Sequence, residues 1–116
     1  GDWRFKSHLL LPWMWRLVHH PTVLDAVEAA LGTSDLLCWS VDIFLKEPGD
    51  GKLVSWHQDA AYVSLDPPEV LTAWIALTDS DAANGCVVVK LGSHTADHPH
   101  TDTYGKDNLL LKGQTI

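Results

Sequence analysis

The clearest helical pattern lies in residues 20–32, which read HPTVLDAVEAALG. Apolar side chains recur there at the spacing of one face of a helix. Pro21 suits the first turn of a helix, and Gly32 can end it. The pattern predicts one amphipathic helix that packs on the rest of the domain. His19 and His20 directly precede it and are expected to cap the helix or to lie on the surface.

From Leu36 onward the pattern changes to an alternation of apolar and polar positions. A period of two is typical of a β-strand. Turn-forming stretches such as EPGDG and SDAANG interrupt the alternation. Four strands are predicted, over residues 37–46, 53–59, 71–78 and 86–91, followed by a polar loop over 95–108. We expect a mainly β fold with a flanking helix, arranged as an antiparallel sandwich or barrel.

Composition restricts the classes of protein that fit this pattern. Apolar residues make up 46% of the 116 positions and charged residues 20%, which is typical of a single globular domain. The net charge of −7 opposes binding to nucleic acid, which relies on Lys and Arg. The longest early apolar run, LLLPWMW, is too short to span a membrane, and no signal peptide is recognisable. We therefore expect a cytoplasmic protein without nucleic-acid or membrane partners.

Candidate chemistry is carried by two His-x-Asp spacings, His57 with Asp59 and His100 with Asp102. Residues two apart in a strand project to the same face, so His57 and Asp59 are expected to bring an imidazole nitrogen and a carboxylate oxygen together. Two His and one carboxylate are the ligands of non-heme Fe(II) oxygenases. The alternative is a polar strand end on the surface. The second pair lies in the predicted loop, where spacing determines no direction, and is interpreted as solvated surface.

A zinc site is a further alternative for the histidines near the end of the chain. His94, His98 and His100 lie close together in sequence. However, no Cys or acidic partner stands at a fixed structural spacing from them. The sequence therefore favours this alternative less than the pair at His57 and Asp59.

An ordered series of motifs resembles the phytanoyl-CoA dioxygenase (PhyH) family of Fe(II)- and 2-oxoglutarate-dependent oxygenases. In this chain the series is LKEPGDG, WHQD, TAWIAL, NGC and GSH. The upstream stretch HHPTVLDAVEAALG and the downstream stretch DNLLLKGQ are also similar to members of the family. The ordered series is far more specific than any one of its parts.

The resemblance implies a fold, a chemistry and a set of site residues. The implied fold is a partial double-stranded β-helix, that is, a cupin-like jelly roll. The implied reaction is hydroxylation of a small organic substrate by dioxygen, coupled to oxidative decarboxylation of 2-oxoglutarate as co-substrate. His57 and Asp59 match the first two Fe(II) ligands, and no other catalytic residue is implied. Lys46, Gln58 and Trp74 match positions near the 2-oxoglutarate.

Two departures from the family pattern stand out. Lys90 and Leu91 occupy positions where members often have an apolar residue and a Pro. More importantly, residues 95–116 contain no Arg, and neither His98 nor His100 lies in the context of the family's distal His ligand. We therefore expect residues 1–116 to be an internal portion of a single oxygenase domain, lacking its C-terminal strands and inactive in isolation.

Two other interpretations stay open from the sequence. The same fold could serve as a non-catalytic binding module, or the chain could bind zinc. Fold alone does not determine function. Related halogenases lack the carboxylate ligand, so the presence of Asp59 favours hydroxylation or a similar oxidation.

Overall fold

A computed structural model describes residues 3–116 of the chain. Within this range there are two α-helices, α1 (Pro12–Val18) and α2 (Pro21–Leu31). Three short 3₁₀ turns complete the regular structure, at Ser7–Leu9, Asp59–Tyr62 and Ser93–Thr95. None of the helices in the described range is long and apolar enough to cross a membrane.

Helix α2 confirms the predicted helix and both of its ends. Pro21 occupies the first turn, where a missing backbone N–H costs nothing. The His20 side chain caps the helix, because its Nδ1 accepts a hydrogen bond from the Thr22 backbone N–H at 3.3 Å. Gly32 ends the helix with φ of 73° and donates its N–H to the Glu28 carbonyl at 2.8 Å. This left-handed conformation is one that glycine adopts without steric cost.

A small buried cluster lies at the N-terminal end of the described chain. Helix α1 packs on the 3₁₀ turn Ser7–Leu9 and contacts α2. Met14 is buried in this cluster, together with Ser7 and His8. Elsewhere most large apolar side chains stay exposed, among them Leu37, Val89 and Leu91.

The prediction of a mainly β jelly-roll fold is wrong for the described residues. Residues 3–116 contain no β-strand, and the four predicted strands run as irregular backbone. Three isolated bridges are present instead, pairing Phe5 with Asp42, Leu53 with Asn108, and Thr101 with Thr115.

The alternation of apolar and polar residues predicts which side chains share a face. A β-strand also needs a neighbouring segment that pairs with its backbone by hydrogen bonds, and the alternation does not supply one. A ladder forms only when a second segment lies alongside in register. In the described chain each bridge joins segments at one point. The radius of gyration is 15.1 Å, whereas a compact domain of this length has about 13 Å. The described chain is thus more expanded than a compact domain of this length, and its segments meet only at isolated bridges.

One tertiary contact does support the central segment. Leu53 donates its backbone N–H to the Asp107 carbonyl at 3.0 Å and accepts from the Leu109 N–H at 2.8 Å. Further along, the Ile116 N–H donates to the Trp56 carbonyl at 3.1 Å. The C-terminal segment thus holds residues 53–56, directly before the candidate site.

Candidate metal centre

His57 and Asp59 lie in direct contact in the structure. The His57 Nε2 and the Asp59 Oδ1 are 3.1 Å apart. The backbone between them is extended at Gln58, with φ −111° and ψ 132°, and Asp59 then begins the 3₁₀ turn Asp59–Tyr62. The two side chains therefore converge as expected, although the local structure is a bend into a turn and not a strand.

The second nitrogen of His57 is engaged by the backbone. Its Nδ1 lies 2.8 Å from the Ser55 carbonyl oxygen, which can only accept, so Nδ1 carries a proton and donates it. This leaves Nε2 as the nitrogen directed at Asp59. A metal-binding His normally has this arrangement, with one nitrogen on the metal and the other bonded to a carbonyl or carboxylate.

Asp59 has a corresponding partner on its far oxygen. The Thr72 hydroxyl donates to Asp59 Oδ2, across 13 positions of sequence. Oδ1 remains directed at His57. The Tyr62 ring stands edge-on to the imidazole, with centroids 5.7 Å apart and an interplanar angle of 90°. Each side chain of the pair is thus oriented by a contact outside the pair.

Electrostatics couple the two groups in opposite directions. The hydrogen bond to Asp59 raises the pKa of His57, partly offset by burial, and the Ser55 carbonyl adds to the rise. The hydrogen bond from His57 lowers the pKa of Asp59 against the effect of burial, with a further contribution from Thr72. The His57 side chain is 21% exposed and that of Asp59 is 47% exposed, so water still screens the pair.

The donor atoms fit two neighbouring positions on a divalent metal. Bonds of about 2.1 Å to nitrogen and oxygen, at a right angle, place the two ligand atoms about 3.0 Å apart. The observed separation of 3.1 Å matches this spacing. Within residues 3–116 no group of three or more His, Cys, Asp or Glu side chains is arranged to hold a metal ion. His57 and Asp59 are thus two candidate donors, and residues 3–116 do not complete a metal site.

The Gln58 side chain is directed away from the pair and toward residues 93–98. Its Nε2 donates to the Ser93 carbonyl at 3.0 Å and to the Ala96 carbonyl at 2.9 Å. Its Oε1 accepts from the His98 backbone N–H at 2.9 Å. In this structure the amide thus makes three hydrogen bonds to backbone, and its predicted place beside 2-oxoglutarate stays a prediction.

Neither Lys46 nor Trp74 makes a hydrogen bond or an ion pair with His57 or Asp59. The Lys46 ammonium lies against the backbone of Gly85, whose φ is 84°. A side chain at Gly85 would collide with it, so glycine here both permits the turn and makes room for Lys46. Trp74 is 49% exposed. Their predicted roles toward the co-substrate are therefore not tested by these contacts.

His94, His98 and His100 occupy different environments and do not converge. His94 lies in the 3₁₀ turn Ser93–Thr95 and is exposed. The backbone N–H of His98 donates to the Gln58 side-chain oxygen. The His100 ring instead accepts a hydrogen bond from the backbone N–H of Gln58. The zinc alternative thus finds no shared metal position for these three residues.

Two groups that contact the pair, from Thr72 and Ser55, had no role predicted from the sequence, and His100 departs from its predicted place on the surface. Thr72 is the first residue of the TAWIAL motif, which is the one sequence signal that points to it. Ser55 contributes a backbone carbonyl, which no sequence pattern reveals. His100 was interpreted as surface, yet it is half-buried and bonded to the Gln58 backbone.

Comparisons with known proteins extend this picture beyond local geometry. The family model for phytanoyl-CoA dioxygenase (PhyH) matches residues 5–110. A phytanoyl-CoA dioxygenase domain-containing protein 1 of Bos taurus is 39% identical over 90 residues, covering 76% of this chain and 30% of that protein. A probable phytanoyl-CoA dioxygenase of Caenorhabditis elegans is 34% identical over 89 residues, covering 72% of this chain and 28% of that protein.

A third relative shows how far the similarity extends along the chain. The peroxisomal phytanoyl-CoA dioxygenase of Bos taurus is 29% identical over 107 residues, covering 86% of this chain and 32% of that protein. The chain thus spans less than a third of the length of these relatives. No solved structure matches it.

Proposed function

Because the chain belongs to the phytanoyl-CoA dioxygenase family, we propose that it forms part of an Fe(II)- and 2-oxoglutarate-dependent oxygenase that hydroxylates a small organic molecule. Membership makes it part of an oxygenase family. The dependence on Fe(II), the use of 2-oxoglutarate as co-substrate and the hydroxylation of a substrate are the parts that we propose.

One observation carries the proposal above the others. The His57 Nε2 and the Asp59 Oδ1 converge at 3.1 Å, while the Ser55 carbonyl and the Thr72 hydroxyl hold the opposite ends of the two side chains. A surface pair needs no such orientation, since exposed ion pairs contribute little to stability. A metal site does need it, because the outer partners orient the ligands.

His57 and Asp59 are proposed to have different roles at the site. His57 would hold the metal through Nε2, which must first lose the proton that it shares with Asp59 in the metal-free protein. Asp59 supplies negative charge that favours a divalent cation. When bound, iron with 2-oxoglutarate supplies activation of dioxygen for hydroxylation. The third ligand and the contacts to the far carboxylate of the co-substrate are proposed to come from the remainder of the protein.

Lys46, Gln58 and Trp74 are proposed to contribute to the co-substrate side. Lys46 is a cation suited to a dicarboxylate, and the exposed Trp74 indole lies two residues after Thr72 in the same segment. For Gln58 the contact would be made through the backbone it orients, because its amide is already bonded. Phytanoyl-CoA is named for the relatives only, and the substrate proposed here is a small molecule of unspecified class.

An anaerobic spectroscopic titration tests the proposal. Adding Fe(II) and 2-oxoglutarate to the complete protein is expected to produce a visible charge-transfer band. His57→Ala and Asp59→Ala should abolish the band, whereas Asp102→Ala, in the second His-x-Asp spacing, should retain it. A band that persists unchanged in His57→Ala would show that the ligand assignment is wrong. A non-catalytic binding module would show no band in any variant.

A further inference from the structure

We propose that Gln58 and His100 are positioning residues that together fasten residues 93–100 to the turn between His57 and Asp59. We call this arrangement the Gln58–His100 clamp. Its consequence for metal binding rests on the function proposed above, whereas its effect on the backbone can be measured without metal. Neither residue needs to touch the metal for this role.

The Gln58 side chain makes three hydrogen bonds, all to one segment of backbone. Both amide hydrogens donate to carbonyls, those of Ser93 and Ala96, at 3.0 and 2.9 Å. The amide oxygen accepts from the His98 N–H at 2.9 Å. A glutamine on a partly exposed surface would be satisfied by water. Three bonds to backbone 35 to 40 positions away instead indicate that it organises that segment.

His100 completes the clamp from the other side. Its Nε2 accepts the backbone N–H of Gln58 at 2.9 Å, and its Nδ1 lies 2.8 Å from the His98 carbonyl oxygen. Since the Gln58 N–H donates, Nε2 carries no proton, and Nδ1 must be the protonated nitrogen that donates to His98. Both ring nitrogens are thus occupied. His100 therefore orients the backbone between the two predicted ligands and does not serve as a ligand itself.

The geometry explains why this bond matters for the pair. Gln58 is extended, so its side chain points to one side of the chain while His57 and Asp59 point to the other. Rotation of the backbone at Gln58 would separate the imidazole from the carboxylate. The clamp holds Gln58 by its side chain and by its N–H at once, which opposes that rotation. The two donors stay 3.1 Å apart as a result.

Amide hydrogen exchange in the metal-free protein tests the clamp directly. In His100→Ala the Gln58 amide loses its acceptor, and in Gln58→Leu the His98 amide loses its acceptor. Exchange at each of these amides is expected to rise about fivefold or more. Gln58→Glu, which is nearly isosteric, should keep the His98 amide protected but release Ser93 and Ala96. It serves as the second variant if Gln58→Leu does not fold.

His98→Ala is the matched control. Residue 98 contributes only its backbone N–H and carbonyl to the clamp, so loss of its imidazole should leave exchange at the Gln58 amide unchanged. Unchanged exchange in His100→Ala and Gln58→Leu would overturn the clamp.

A titration with Co(II) then links the clamp to the site. His100→Ala and Gln58→Glu are expected to weaken Co(II) affinity about tenfold, as losses of outer partners do, while His98→Ala binds normally. Faster exchange with undiminished Co(II) affinity would overturn the positioning role. Asp59→Ala separates the two proposals: if it binds Co(II) as tightly as the unaltered protein, the proposed metal site fails, and the exchange data alone still decide the clamp.

Discussion

At the residue scale, His57 and Asp59 form an ion pair whose strength depends on pH. The contribution of His57 to stability is full below its ordinary pKa of 6.5 and is lost as the pH rises through its raised pKa. The contribution of Asp59 is full above its ordinary pKa of 3.8 and is lost as the pH falls through its lowered pKa. The pair therefore stabilises the metal-free chain most fully between pH 3.8 and 6.5.

The first prediction concerns the carboxylate of this pair. Asp59→Asn should lower the pKa of His57, because the largest cause of its rise is removed and burial, which lowers the pKa, remains. An NMR titration of the imidazole in the metal-free protein measures the shift. Asp102→Asn is the control, since Asp102 contacts Tyr104 and Lys112 and not a histidine. An unchanged His57 titration in Asp59→Asn would contradict the observed pairing.

The second prediction concerns the hydroxyl that holds Asp59. Thr72→Val keeps the shape of the side chain and removes the donor to Asp59 Oδ2. The pKa of Asp59 should rise toward its ordinary value, as followed by the carboxyl carbon signal in NMR. The hydrogen bond from Thr72 to the partly exposed Asp59 contributes about 1 kcal/mol. Affinity for Co(II) should therefore fall about fivefold when this bond is lost.

Thr78→Val is the matched control for this hydroxyl. Thr78 lies in the same segment and is exposed, and its hydroxyl makes no hydrogen bond among the described residues. An equal effect of both substitutions would mean that Thr72 acts through general stability and not through Asp59.

At the element scale, helix α2 is the part of the chain that local signals describe completely. Its proline, its cap and its terminal glycine all lie within residues 20–32, and each acts on its immediate neighbours. The predicted strands are different, because each depended on a partner elsewhere in the chain. An element whose hydrogen bonds are internal can be predicted locally, whereas one whose bonds are external cannot.

The third prediction tests the end of α2. Gly32→Ala should destabilise the fold by about 1 kcal/mol, because an L side chain is strained at a φ of 73° although nothing lies within 4 Å of it. Urea denaturation followed by circular dichroism measures the loss. Gly105→Ala is the control, since the Gly105 backbone is not in the left-handed region. A Cβ at this position would lie 3.7 Å from the Thr103 hydroxyl oxygen, an ordinary contact. Equal effects of the two substitutions would contradict the capping role of Gly32.

At the scale of the whole molecule, many large apolar side chains in residues 3–116 are exposed. Met14 is the single buried hydrophobic side chain in residues 3–116. Soluble monomers rarely leave large contiguous apolar areas open, and such areas normally contact other protein surface. The family relatives are more than three times as long as the matched stretch. The exposure of these apolar side chains is therefore a property of the 116 residues taken alone, without the additional length that the relatives have.

The fourth prediction uses the six tryptophans as probes of that exposure. All six are exposed, from 44% at Trp13 to 57% at Trp3 and Trp39. The fluorescence of the 116-residue chain should resemble that of a free tryptophan derivative in water, and unfolding in urea should shift it little. A hydrophobic dye should bind strongly and lose its signal in urea. Blue-shifted emission that moves to the red on unfolding would show that the indoles are buried.

The sequence by itself determined the features that depend on neighbouring residues or on an ordered series of motifs. Helix α2 and its ends followed from local chemistry, and the family followed from LKEPGDG, WHQD, TAWIAL, NGC and GSH read together. The closeness of His57 and Asp59 also followed, since two positions of backbone separate them.

Only the tertiary structure decided which distant segments meet. It brought Thr72 to Asp59, Gln58 to residues 93–98 and His100 to the backbone between the two candidate ligands. It also left the alternating segments without a hydrogen-bonded ladder. Alternation determines which side chains share a face, but pairing depends on the free energy of bringing remote segments together, which no local pattern contains.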